Sequence, residues 1–127
     1  MNEINTWTAW QMAEAINQGD VSAEEVTQSC LDRIAKREDA VKAWAFWDPD
    51  LALRQARACD EHRTAGNPLD LLHGVPVGLK DIIDTADMPT ENGSDHFKGR
   101  RPTRDAASVA LLRAAGAVIL GKTVTTE

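Results

Sequence analysis

The chain has no long apolar run, no secretory leader pattern, no paired-cysteine motif and no excess of positive charge. None of its apolar stretches approaches the ~20 residues that a membrane helix needs, so no membrane partner is expected. The opening MNEINTWTAWQMAEAINQGD does not run from a basic start into an apolar core, and no secretory signal is read from it. A cytoplasmic location is the default expectation. Acidic residues outnumber basic ones by 20 to 14, giving a formal net charge of −6. Nucleic-acid backbones require a positive surface, so no nucleic-acid partner is expected. The local basic cluster Lys98, Arg100, Arg101 and Arg104 reads as a solvated loop. Cys30 and Cys59 lie far apart among helix formers, where a free thiol acts as a small core hydrophobe. His62, His73 and His96 are scattered too widely to suggest a metal site, and neither metal nor cofactor is expected.

What is present is an ordinary globular sequence. Its 43% hydrophobic and 27% charged residues suit a core-forming domain, and 127 residues suffice for one. There is no internal repeat, low-complexity stretch or linker to divide it. Thr8 to Gln11 and Ser22 to Glu25 are capping boxes, each able to satisfy free helix-end donors. Ala9, Met12, Ala13 and Ile16 share one helical face, as do Val26, Cys30 and Ile34. Residues 8–37 therefore read as a helical hairpin turning at Gly19-Asp20, with Lys36 and Arg37 suited to the negative helix end. Residues 41–47 are aromatic-rich and read as a strand. Asp48-Pro49 starts a helix that runs to about His62, and residues 64–70 form a loop.

The pattern changes at Leu71. Residues 75–80 read as a strand and 81–104 as mostly loop with short strands. Asp105 is expected to cap a helix over 106–115, and 117–121 reads as a strand buried on both faces. Strand, helix and strand make a βαβ unit with parallel strands. Lys80 closes the first of these strands, where parallel sheets gather their chemistry. Gly74, Pro76 and Gly78 leave little bulk beside it. A lysine drawn out of water there would have a lowered pKa and serve as a base. A strand-end lysine equally suits a plain solvent-facing charge.

The segments LHGVPVGLKDIID, MPTENGS and DAASVALLRAAGAVILGKTVTTE resemble the amidase signature family. Their order and spacing follow its lysine-bearing strand end, its Gly-Ser loop, its Asp-Ala helix and its Leu-Gly-Lys-Thr strand. The first half resembles the family's N-terminal helices. The resemblance implies an α/β fold: N-terminal helices over residues 1–70, then a βαβ unit of a mixed sheet flanked by helices over 71–127. It implies an amide hydrolase acting through a nucleophilic serine, a second serine in a cis peptide, and a lysine matched here by Lys80. In that scheme neutral lysine accepts a proton through the bridging serine, and the nucleophile forms an acyl-enzyme that water releases.

The substrate implied is a small-molecule amide. None of Ser22, Ser29, Ser94 and Ser108 stands in the family's serine-rich context, so the nucleophile is expected beyond residue 127, and this portion is expected to be inactive alone. Alternatives are a piece of a glutamine amidotransferase A-type subunit or a non-catalytic partner-binding module. Ile82, where many members carry Asn, counts slightly against the tRNA-dependent branch. Ser94 is expected to be structural or pocket-lining, and Lys122 a buried ion-paired or hydrogen-bonded lysine. Asp81 and Asp84 are expected to bind backbone groups in the turn leaving the strand. Self-association through an exposed sheet edge, with partial disorder near 85–104, is expected if later strands are lacking.

Overall fold

The computed structural model describes residues 3–127. A 3-10 helix, Ile4–Thr6, precedes α1 (Ala9–Gln18) and α2 (Ala23–Val41). Both expected capping boxes form, with Thr8 capping Gln11 and Ser22 capping Glu25. Each contributes about 1 kcal/mol. Gly19 ends α1 at φ 81°, a left-handed turn that residues with a Cβ rarely adopt. Met12 and Ile16, four apart, are the buried face of α1. Full burial of side chains this size contributes roughly 1.5–3 kcal/mol each.

The second helix continues past Arg37 to Val41, and the following strand shrinks to β1 (Trp44–Trp47). The cause is Glu38. Its carboxylate accepts from the backbone N–H groups of Ala43 and Trp44, both at 2.9 Å, so the chain leaves the helix only at left-handed Lys42. The third helix, α3 (Pro49–Thr64), starts as expected with Asp48 as cap and proline at its first turn.

Then come β2 (Pro76–Lys80), α4 (Ala107–Ala114) and β3 (Val118–Thr123). The strand order is β1-β3-β2, with β3 parallel to β2 and antiparallel to β1. The sheet is therefore mixed, and the expected βαβ unit is present. Asp105 does not cap α4. Ala106 holds the cap position without a side-chain bond, and the Asp105 carboxylate instead accepts from Ala86 N–H (2.8 Å) and Arg113 Nε (3.0 Å). Between residues 81 and 104 the described structure is turns plus a 3-10 helix, Asp95–Phe97, without the short strands expected there.

Two cores flank the sheet. Val75, Val118 and Leu120 pack with Met12, Ile16, Val26, Leu31, Ala52 and Ala56 of the helices. Leu79 and Ile119 pack with Met88, Ala117 and Val109 of α4. Adjacent residues of β3 thus enter different cores, which is why its sequence is continuously apolar.

Candidate functional site

Lys80 ends β2 and lies opposite Thr123 of β3. The chain turns immediately: Ile83 N–H donates to the Lys80 carbonyl at 3.0 Å, and Asp81 N–H donates to the Thr123 carbonyl at 2.9 Å. The Lys80 side chain is exposed. The expectation that it is drawn out of water is thus not met among the described residues. The glycines nearby do not open a cleft around it: Gly74 is packed against Ile16 and Ala23, and Gly78 against the ring of Trp44.

The desolvated lysine is Lys122, which is fully buried. Its position depends on a slip in register. Val77 pairs with Ile119, but Gly78 pairs with Gly121, so Leu120 is an extra residue in β3. Plain alternation would put Lys122 on the same face as Val118 and Leu120, toward the helices. The slip sets it opposite Leu79 instead, on the face of the second core. There its ammonium donates to the Pro89 carbonyl at 3.0 Å and to Thr90 Oγ1 at 2.6 Å. Burial holds its pKa below the ordinary lysine range, opposed by the charges of Asp81, Asp84 and Asp87. This is the buried, hydrogen-bonded lysine that the sequence suggests.

Asp81 is buried and, as expected, binds backbone: its carboxylate accepts from Glu91 N–H at 3.2 Å. Its carbonyl accepts from Asn92 N–H at 2.9 Å. Burial pushes its pKa up, against the Glu91 bond and the charge of Lys122. Asp84 departs from expectation. It pairs two-pronged with Arg100, at 2.8 and 3.1 Å, so one member of the supposed solvated cluster is anchored. Lys98, Arg101 and Arg104 remain exposed.

The Arg100 guanidinium, by its hydrogen bonds and its charge, holds the Asp84 carboxyl below the usual range. A folded pKa below the unfolded one stabilises above the unfolded value and is lost as pH falls through the folded value. Arg100→Gln is therefore expected to lower the urea midpoint at pH 7. The difference from wild type should shrink as pH drops below about 4, the ordinary aspartate range. Equal differences at pH 7 and pH 3 would contradict the pairing.

Arg113 is an organising residue that the sequence reading missed. It binds Asp87 through both carboxylate oxygens (2.9 and 3.0 Å), Asp105 at 3.0 Å and Gln55 Oε1 at 3.3 Å. Gln55 in turn bonds both N–H and C=O of Ile119, each at 3.0 Å. The eight-residue spacing of Asp105 and Arg113 across α4 was the available signal, but Asp87 and Gln55 come from afar. Ser94 has a structural place: it caps the Asp95–Phe97 helix, accepting from His96 N–H. Cys30 and Cys59 are partly buried against the first core, and burial raises both thiol pKa values. Ring nitrogens of His62 and His73 lie 3.0 and 2.8 Å from the carbonyls of Pro68 and Cys59, where they tie loops. Among the described residues, no three potential metal ligands converge. Among them, too, no helix is long and apolar enough to cross a membrane.

The arrangement is thus an open lysine at the end of a parallel strand, set beside a buried lysine and a stapled loop. The Amidase family profile matches residues 25–127. The chain belongs to the Amidase family. It is 46% identical over 97% of its length to a glutamyl-tRNA(Gln) amidotransferase subunit of Salinispora arenicola. It is 37% identical to the peptide amidase of Stenotrophomonas maltophilia, superposing over 93% of its length with a TM-score of 0.86. A bacterial aryl acylamidase of the amidase signature family shares the fold, at 22% identity and a TM-score of 0.91. The chain spans about a quarter of the length of these relatives.

Proposed function

We propose that these 127 residues are the N-terminal portion of an amidase that hydrolyses a carboxylic amide to acid and ammonia or amine, with Lys80 as the proton acceptor. The observation that carries this reading is the place of Lys80: open, at the carboxyl end of β2, in a chain of the Amidase family. The serine nucleophile and bridging serine would come from later parts of the protein. The Lys80 amine would take the proton relayed from the nucleophile as it attacks the amide carbonyl. It would return that proton toward the leaving amine.

A second reading is favoured by the 46% identity to an amidotransferase subunit. There the ammonia would be passed to another substrate in a complex instead of being released. One assay separates the two. Purified full-length protein is given a panel of aliphatic, aromatic and peptide amides, both primary and N-substituted, and released ammonia and amine are measured. Release without any partner protein supports the hydrolase. Release from glutamine alone, and only with partner subunits, supports the transferase. No release under either condition rejects both.

A further inference from the structure

We infer that Lys122 is a positioning residue for Lys80, acting through a hydrogen-bonded chain that ends on the Lys80 carbonyl. The inference rests on the reading of Lys80 as the proton acceptor. The chain has three links. The Lys122 ammonium donates to Thr90 Oγ1 at 2.6 Å, and the Thr90 hydroxyl donates onward to the Ile83 carbonyl at 3.4 Å. The Ile83 N–H then donates to the Lys80 carbonyl at 3.0 Å. Lys122 and Thr90 are both fully buried, so water does not compete for these bonds.

A second set of contacts braces the same turn. Lys122 also holds the Pro89 carbonyl at 3.0 Å. Two residues further on, Glu91 and Asn92 donate their N–H groups to the carboxylate and carbonyl of Asp81. The loop 89–92 is thereby fastened to β3 at one point and to the residue after Lys80 at two. Lys80 itself makes no side-chain hydrogen bond among the described residues, so its direction is set by its backbone. A strand end that frayed would swing that side chain, and misplacement of a reacting group by about 1 Å can cost on the order of 100-fold in rate. An ammonium is an expensive filler for a dry core, where an apolar side chain would serve packing alone. Three rotatable donors on a long stem suit a residue that must gather oxygens from a separate loop.

The test compares Lys122→Met, Thr90→Val, Thr90→Ser and Lys80→Ala in the full-length protein on a good amide substrate. Rates are expressed per site titrated to completion with a fluorophosphonate. Lys122→Met and Thr90→Val are expected to lower kcat per titrated site by about tenfold or more, with KM within about twofold. Thr90→Ser keeps the relay hydroxyl and is expected to recover most of the loss. If Lys122→Met does not fold, Thr90→Val, which preserves shape, carries the test. Fewer titratable sites with unchanged kcat per site would mean a purely structural lysine and would overturn the inference. So would equal losses in Thr90→Val and Thr90→Ser. An active Lys80→Ala would instead remove the assignment of Lys80 on which the inference stands. An inactive Lys80→Ala beside unaltered Lys122→Met and Thr90→Val would overturn the inference alone.

Discussion

Lys80→Ala is expected to lower kcat/KM for amide hydrolysis by roughly a thousandfold in the full-length protein, with almost no change in its unfolding midpoint. A positioned proton acceptor contributes about 100- to 10,000-fold, and Lys122 is not placed to stand in for this one. Lys122 is the nearest candidate in strand register. Its pairing with Leu79, one residue before Lys80, turns it to the opposite face of the sheet, and Thr90 and Pro89 hold it there. The fold should tolerate the change because the Lys80 side chain is exposed and Leu79, not Lys80, supplies the core contact. Steady-state kinetics and a urea titration on the same preparation would decide. Turnover within tenfold of wild type would end the assignment, and a large fall in stability would mean that activity loss reflects unfolding.

The largest expected effect on stability comes from Gly121→Ala. A methyl group at this position would collide with the Phe46 carbonyl oxygen and lie 2.9 Å from Trp47 Cα, both backbone atoms of β1. Neither can rotate away as a side-chain tip could. With no relief by rotation, β1 must separate from β3, which loses the antiparallel pairing of Trp47 with Gly121 and Phe46 with Lys122. Overpacking of this kind costs roughly 3 kcal/mol, a large share of the 5–15 kcal/mol that holds a domain folded. Urea unfolding followed by tryptophan fluorescence, to which Trp44 and Trp47 of β1 contribute, would measure it. A midpoint equal to wild type would show that β1 approaches β3 less closely than described. Gly66, by contrast, has no atom within 4 Å of where a methyl would stand, so crowding there is absent.

Local signals suffice where a residue's partner lies within one turn of chain. Thr8 with Gln11, Ser22 with Glu25 and Asp48 with Leu51 are such pairs, and each starts the helix expected of it. The same signal misleads at Asp105, whose sequence context is equally good for a cap. A guanidinium two turns along α4 and a distant N–H offer its carboxylate stronger partners, and the second of these, that of Ala86, is one that packing alone brings near. Glu38 behaves likewise, extending α2 because its carboxylate finds two free N–H groups beyond the helix end.

By itself, the sequence determined the helices, the parallel βαβ unit and the place of Lys80 at a strand end, because capping chemistry and hydrophobic period are local properties. The resemblance also singled out Lys122, read as a buried ion-paired or hydrogen-bonded lysine. Tertiary structure alone decided that β1 joins β3 antiparallel, that Asp84 clasps Arg100, and that Lys122 faces the loop at Pro89 and Thr90. The last of these hangs on the single extra residue at Leu120. A period-two pattern carries no mark of such a slip, yet one slip moves every later side chain to the other face. Only the competing demands of two cores on one strand settle where it falls.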